Sequence, residues 1–335
     1  MTIRVLHVGL GPVGAAIARQ IAAHKGFQLV GGIDIDPAKA DRDLGEVVGL
    51  DRPTRIKVSL EPARAIKSTR PHVVVLATGS TLKSVAPQIE QIVKARVPIV
   101  STTEELAYPT DRNRRLWKRL DDVARRAKVA VLGTGINPGF VMDVLPLVLT
   151  TPCERVDAIV VNRVMDARVR RLPFQQKIGA GLTREQFKAQ VADGSVRHVG
   201  FEQSIRMIAD ALGWRLDRIT EDIKPKIADA TVSSEFLAVD PGYVSGVVQD
   251  AIGYSKGKAV VRLHLEAYLG APESSDSILI EGSPPLSVTV PGGIHGDTGT
   301  AAVIVNSIPR LLMAKPGLRT MRDLQTPSIH VDRRV

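Results

Sequence analysis

The stretch from Val5 to Asp34 constrains the fold of this chain more than any other. Val5-Leu6-His7-Val8 is an apolar strand pattern, and Gly9-Leu10-Gly11-Pro12-Val13-Gly14 is a glycine-rich turn. An apolar helical pattern follows, then a second strand, Leu29-Val30-Gly31-Gly32-Ile33, closed by Asp34. A lone GxGxxG says little. Set between a strand and a helix, with a carboxylate about 20 residues further on, it marks a dinucleotide-binding βαβ unit. Gly9 permits the tight turn, Gly11 lets backbone approach a pyrophosphate, and Gly14 lets helix pack closely on strand. Pro12 and Val13 open the helix, whose N-terminal amides attract phosphate. Asp34 is placed to accept from ribose hydroxyls, whereas Asp36, followed by Pro37, reads as a helix cap. Lys39 and Arg42 are near enough to offer charge to a 2′-phosphate. The motif therefore leans toward NAD and leaves NADP open.

Strands alternate with helices through about the first 135 residues, which argues for a doubly wound parallel sheet. His72 to Gly79 is a buried-strand run expected to be the fourth strand, with Ala77 and Thr78 bordering the cofactor cleft. Val97 to Thr103 is the next strand, and Val129 to Gly133 the sixth. Beyond Gly139 the texture changes to longer strands, Arg155–Arg163 and Gly257–Tyr268, mixed with two helices. Thr183-Arg184-Glu185-Gln186 is a capping box opening the first, and Gly213 closes the second, Phe201–Leu212. Gly296-Asp297-Thr298 then begins a long apolar helix with Asp297 as its expected N-cap and Pro309 bending or ending it. The expectation is an α/β Rossmann domain over 1–136 plus 297–335, with a second α+β domain over 137–296 for substrate and dimerisation.

Composition removes several function classes. The 335 residues are 44% hydrophobic and 24% charged, as in a soluble globular protein. No apolar run reaches the about 18 residues of a membrane span, and the start runs straight into a strand without a signal peptide, so a cytoplasmic location is expected. The single cysteine, Cys153, excludes an internal disulfide, and the seven histidines show no ligand spacing, so no metal is expected. A net charge of +10 raises nucleic-acid binding, but the cations are dispersed. The densest run, Asp111–Lys128, alternates charge with apolar residues like a solvated helix, and aromatics make up only 4%.

The strongest chemical signal after the glycines is Ser101-Thr102-Thr103-Glu104-Glu105-Leu106-Ala107-Tyr108-Pro109, at the carboxyl end of a parallel strand. Open α/β sheets place their ligands there. A carboxylate at that point is not needed to hold a dinucleotide, so Glu104 is a candidate catalytic group and Thr102 a cofactor contact. The alternative for Glu104 is a helix start, which acids favour; Glu105 is left to that role. Asn137 follows a glycine-rich turn at the domain junction, as a cofactor contact or an Asx turn. His264 lies on the polar face of an alternating strand with Arg262 and Glu266, either solvent-facing or lining the cleft.

The glycine motif, Asp34-Ile35-Asp36-Pro37 with Asp43-Leu44-Gly45, and Thr103-Glu104-Glu105-Leu106-x-Tyr108-Pro109 resemble the native amine dehydrogenases. They resemble 2,4-diaminopentanoate dehydrogenase almost as well. Gly133 to Phe140, Gln176 to Thr183, and Gly296 to Asn306 extend the resemblance over both domains. It implies a fold like that of dihydrodipicolinate reductase, but that enzyme's adjacent histidines followed by lysine have no counterpart here. It also implies a homodimer and a catalytic role for Glu104. The expected reaction is NAD(P)H-dependent reductive amination of a small ketone or aldehyde with ammonia, or the reverse deamination of a primary amine. One glutamate, its pKa raised by burial, can deprotonate ammonium, protonate the departing carbinolamine hydroxyl and stabilise the iminium. The substrate pocket is expected to involve Phe140, Asn162, Arg163 and His264. For a substrate bearing a carboxylate, Arg163, Arg168, Arg170 or Arg171 would supply a guanidinium.

Overall fold

The computed structural model describes residues 2–325 and 328–330, so the last few residues assigned to the first domain lie outside the described ones. The chain divides into two compact units. Unit 1 comprises residues up to Phe140 and those from His295 onward, and unit 2 runs from Val141 to Ile294. Asn137 to Phe140, expected in the second domain, belong with unit 1.

Unit 1 carries strands β1 (Ile3–Val8), β2 (Phe27–Ile33), β3 (Val58–Ser59), β4 (Val73–Leu76), β5 (Ile99–Ser101) and β6 (Ala130–Gly133). With a last short strand, Gly317–Arg319, they form one sheet in the order Gly317–Arg319, β6, β5, β4, β1, β2, β3. Every pairing is parallel. The strand runs are nearly all apolar because both faces are covered. Helices α1 (Pro12–Ala23) and Gly296–Leu312 lie together on one face, and α3 (Pro62–Thr69), α4 (Leu82–Lys94) and α5 (Arg114–Ala127) on the other. The short α2 (Leu44–Val48) packs against α1. Gly9, with φ +91°, turns the chain from β1 into α1, and a Cβ there would lie 2.3 Å from the Ala77 carbonyl oxygen. A Cβ on Gly14 would lie 1.9 Å from the Gly9 oxygen, so the helix approaches the strand as closely as the motif requires. The N-cap position of the helix Gly296–Leu312 is His295, whose side chain does not cap it, and Asp297 stands in the first turn instead, where its charge favours the helix dipole. Pro309 sits in its last turn, and the helix runs on to Leu312.

His7, in the middle of β1, is fully buried, yet neither ring nitrogen has a hydrogen-bond partner among the described residues, and packing holds it. His72, by contrast, accepts the Arg4 N–H through Nδ1 at 3.1 Å. Burial pushes the His7 pKa down from 6.5 to about 4. The folded state thus binds no proton where the unfolded state does, and stability is full above pH 6.5 and falls as pH drops toward 4. Between pH 7.5 and 5 this histidine should remove about 2 kcal/mol of unfolding free energy. Urea denaturation of the wild type and His7→Leu at both pH values checks this, and an equal fall in both would refute it.

Unit 2 is built on strands β7 (Arg155–Asp166), β8 (Arg218–Ile227), β9 (Val232–Ser233), β10 (Ala238–Val239), β11 (Val244–Ser255), β12 (Lys258–Tyr268), β13 (Ser275–Ser283) and β14 (Leu286–Pro291). Six of them form a sheet in the order β14, β13, β7, β12, β11, β8, in which only β7 and β12 run parallel. The helices of unit 2 are α6 (Val144–Leu149), α7 (Leu172–Lys177), α8 (Arg184–Ala192) and α9 (Phe201–Ala211), and α9 packs on β11 and β12, burying Phe201, Ile205, Met207 and Ile208. The expected capping box opens α8: Thr183 accepts the Gln186 N–H, and the Gln186 side chain accepts the Thr183 N–H. From Arg262 to Tyr268, β12 alternates buried and less buried residues, the pattern of a strand with one face in the core.

Candidate functional site

In unit 1 the carboxyl ends of β1, β2, β4 and β5 are tied together by backbone bonds: Gly9 N–H to Ile33 O at 2.8 Å, Ala77 N–H to Val8 O at 2.8 Å, and Thr102 N–H to Leu76 O at 3.1 Å. Those bonds bring Gly9, Asp34, Ala77, Thr78 and Thr102 to one edge of the sheet, as the sequence predicts. A Cβ placed on Gly11 would meet nothing within 4 Å. No neighbour among the described residues therefore requires glycine there, and the backbone of the turn is left open to a ligand. Gly11 is also the N-cap of α1, with no side chain capping the first turn and no acid in it. The turn leaves its amide dipoles to an anion. These residues fit the pyrophosphate of a dinucleotide.

Asp34 is buried at the end of β2 and held on three sides. Its Oδ2 accepts the Leu10 N–H at 2.7 Å and Lys39 Nζ at 2.9 Å, and its Oδ1 accepts the Asp36 N–H at 3.0 Å. Burial alone would raise its pKa, but the bonds from Lys39, Asp36 and Leu10 and the charge of Lys39 outweigh this and hold it below the usual value. Asp36 accepts the Ala38 N–H and caps the turn Pro37–Lys39, as expected for the Asp-Pro pair. Two neighbours were not singled out for what they do here. Lys39 is ion-paired to Asp34, and Ile35 leaves an apolar side chain 88% exposed beside it. Neither residue type signals such a role in sequence.

Glu104 opens a single 3-10 turn, Glu104–Leu106, just after β5. The residues on both sides of it are pinned. Ser101 Oγ donates to Leu76 O at 2.9 Å, and Thr103 Oγ1 donates to Gly79 O at 2.8 Å. Glu105 uses its carboxylate to accept the Leu82 N–H at 2.8 Å, at the start of α4, and its own N–H bonds Ser80 O at 3.1 Å. Glu105, expected as an acid at the start of its own helix, is instead a clasp to the start of α4. Gly133 lets the turn sit on β6, since a Cβ there would come within 2.4 Å of the Leu106 carbonyl carbon. Glu104 is half-buried on this rigid support. A preorganised carboxylate can carry protons and stabilise a cation.

Asn137 is buried in the loop after β6, and Phe140 ends the same segment half-buried. The loop is anchored where Ile136 N–H meets Thr300 Oγ1 at 3.3 Å. Close to it, Thr134 Oγ1 is buried without a hydrogen-bond partner among the described residues, a polar atom that the sequence did not single out.

The other expected pocket residues lie in unit 2, and they do not share a face. Asn162 and His264 pair across β7 and β12, so both point to the less buried side of the sheet, while Arg163 points to the core. Asn162 Nδ2 donates to Ser277 Oγ at 3.2 Å. His264 is gripped by Asp250 at 2.7 Å and Glu266 at 3.1 Å. Burial would lower its pKa, and the two carboxylates outweigh that and raise it. Arg163 is 3% exposed and its Nε donates to Asp276 Oδ1 at 2.7 Å, with Asp276 1% exposed. A second guanidinium nitrogen donates to Ile294 O at 2.8 Å. Arg163, expected in the substrate pocket, is thus paired with Asp276 and bonded to Ile294 within unit 2. Arg168 pairs with Asp166, and Arg170 stacks on Phe174 at 4.0 Å. His198 is pushed down to about 3 by burial and then by the charges of Lys177, Arg163 and Arg197.

Residues 140–334 match the 2,4-diaminopentanoate dehydrogenase C-terminal domain. The chain is 32% identical to 2,4-diaminopentanoate dehydrogenase of Acetoanaerobium sticklandii over 342 residues, covering 97% of this chain and 94% of that one. It is 27% identical to an amine dehydrogenase of Streptomyces virginiae over 346 residues, covering 94% of each. Among solved structures, an amine dehydrogenase from Mycobacterium smegmatis has a TM-score of 0.88 at 24% identity, over 98% of both chains. Dipicolinate-bound dihydrodipicolinate reductase from Paenisporosarcina sp. TG-14 has a TM-score of 0.53 at 15% identity, over 94% of this chain and 97% of that one. At such identities the two structures speak for the fold, which is the one the sequence implies.

Proposed function

The chain belongs to the 2,4-diaminopentanoate dehydrogenase family, and from that premise we propose that it interconverts a primary amine with a small ketone or aldehyde and ammonia at Glu104. It is an oxidoreductase acting on the CH–NH2 group of its donor. The observation that carries the assignment to Glu104 is its position at the carboxyl end of β5, on a turn whose flanking Thr103 and Glu105 are both tied down. A nicotinamide dinucleotide supplies hydride exchange. Gly9, Gly11 and Gly14 with the start of α1 would hold its pyrophosphate, and Asp34 its ribose, with Pro12, Val13, Ala77, Thr78, Thr102 and Asn137 around it.

In the direction of amination, the Glu104 carboxylate takes a proton from ammonium, leaving ammonia free to attack the carbonyl carbon. The carbinolamine then loses its hydroxyl as water when Glu104 returns that proton to the oxygen. The carboxylate so regenerated faces the cationic iminium and stabilises it. Asp34 favours NAD, and use of NADP alongside it is part of the reading. A homodimer and a cytoplasmic location complete it, as the resemblance implies.

A second reading, an amine that also bears a carboxylate, is favoured by the 32% identity over 97% of the chain to 2,4-diaminopentanoate dehydrogenase, whose named substrate is of that kind. Cyclohexanone and pentanal, each with ammonia, set against 2-amino-4-oxopentanoate with ammonia, separate the two. Cofactor oxidation with the plain carbonyls supports the first. Turnover of the amino acid alone supports the second, and no turnover with any of them refutes both.

A further inference from the structure

The carboxylate that should grip the ribose does not stand as an isolated negative charge. Lys39 Nζ lies 2.9 Å from Asp34 Oδ2, 3.4 Å from Leu10 O and 3.8 Å from Asp36 Oδ2. Its side chain is 24% exposed, so the ammonium sits at the rim of the site and keeps access to it. Asp34 takes up the Leu10 and Asp36 amides as well, which fixes the carboxylate while the lysine lies on one oxygen. Arg42, the other nearby cation, is turned away to Glu46, four residues on, and both are largely exposed. An acid at the end of the second strand discriminates against a 2′-phosphate by repulsion and by accepting the 2′-hydroxyl. With an ammonium in contact, that repulsion is largely cancelled over a few ångströms. A lysine also carries a flexible stem and three donors, suited to a phosphate as a point charge.

We propose that Lys39 is the specificity-determining residue for the adenosine end of the cofactor. Paired with Asp34 it serves the ribose of NAD, and released from Asp34 it binds the 2′-phosphate of NADP, so that one site takes both. This rests on the dinucleotide reading of the glycine turn. Titration calorimetry with NAD⁺ and NADP⁺, needing no turnover, tests it on the wild type, Lys39→Met, Lys39→Gln, Lys39→Arg and Arg42→Ala. The wild type is expected to bind both. Loss of the charged donor in Lys39→Met and Lys39→Gln should weaken NADP⁺ roughly tenfold or more relative to NAD⁺. Lys39→Arg and Arg42→Ala should leave the ratio near that of the wild type. An unchanged ratio in both uncharged variants overturns the proposal. So does a wild type that binds NAD⁺ but not NADP⁺, or a shift in the ratio from Arg42→Ala as large as that from Lys39→Met. A wild type that binds neither dinucleotide overturns the cofactor reading itself, a result distinct from the others.

Discussion

Replacing Glu104 by glutamine should lower kcat for reductive amination by roughly 10²- to 10⁴-fold, the usual share of a positioned acid–base group. Glutamine keeps the size of the side chain and can still bond its neighbours, so the local turn, held on either side by Thr103 and Glu105, should survive. It can neither take a proton from ammonium nor face the iminium with a full charge. Steady-state rates with ammonia and the best carbonyl substrate give the size of the effect. Calorimetric binding of the dinucleotide should persist, which separates lost chemistry from lost folding. The pH profile of kcat/KM should also lose the limb that the carboxylate contributes. Turnover within a few-fold of the wild type would remove Glu104 from the mechanism.

The largest effect on stability is expected at Asp276→Ala. It would leave the Arg163 guanidinium, 3% exposed, without its carboxylate, and would also free the Ile294 N–H that Asp276 Oδ2 accepts at 2.8 Å. Breaking a buried pair from one side costs about 3–5 kcal/mol, because the remaining charge stays buried. Chemical denaturation read by a probe in unit 2 measures it. Replacing both partners, Arg163→Met with Asp276→Leu, should recover most of the loss, since apolar side chains of similar volume often do as well as a buried pair. If the single and double variants were equally destabilised, the pair would not be the source.

These two residues mark the divide between what was legible in the chain and what was not. Glu104 was legible because it sits in a local phrase: a strand, then Thr103-Glu104-Glu105, at the end of a sheet where ligands gather. Glu105 was only partly legible: it reads as an acid opening its own turn, whereas its carboxylate holds the first amide of α4, 23 residues away. Arg163 was not. Its partner lies 113 residues away on a different strand, and only the register of β7 against β13 brings them together. Asn162 and His264 share one face of the sheet and Arg163 the other, because adjacent strand residues face opposite sides, and the strand pairing that brings the first two together is not visible in the chain. His7 looked like an ordinary core residue, and only packing reveals that its ring nitrogens have no partner among the described residues.

Sequence by itself determined the βαβ unit from Val5 to Asp34, the doubly wound class, the caps at Asp36 and Thr183, and the candidate glutamate. All of these rest on patterns along the chain, where periodicity, motif spacing and capping chemistry act. Tertiary structure decided what each charge does. It placed Lys39 on Asp34, turned Arg42 to Glu46 and consumed Arg163 in a buried pair with Asp276. Charges interact through space, and the distances that set their strength exist only once the strands have paired.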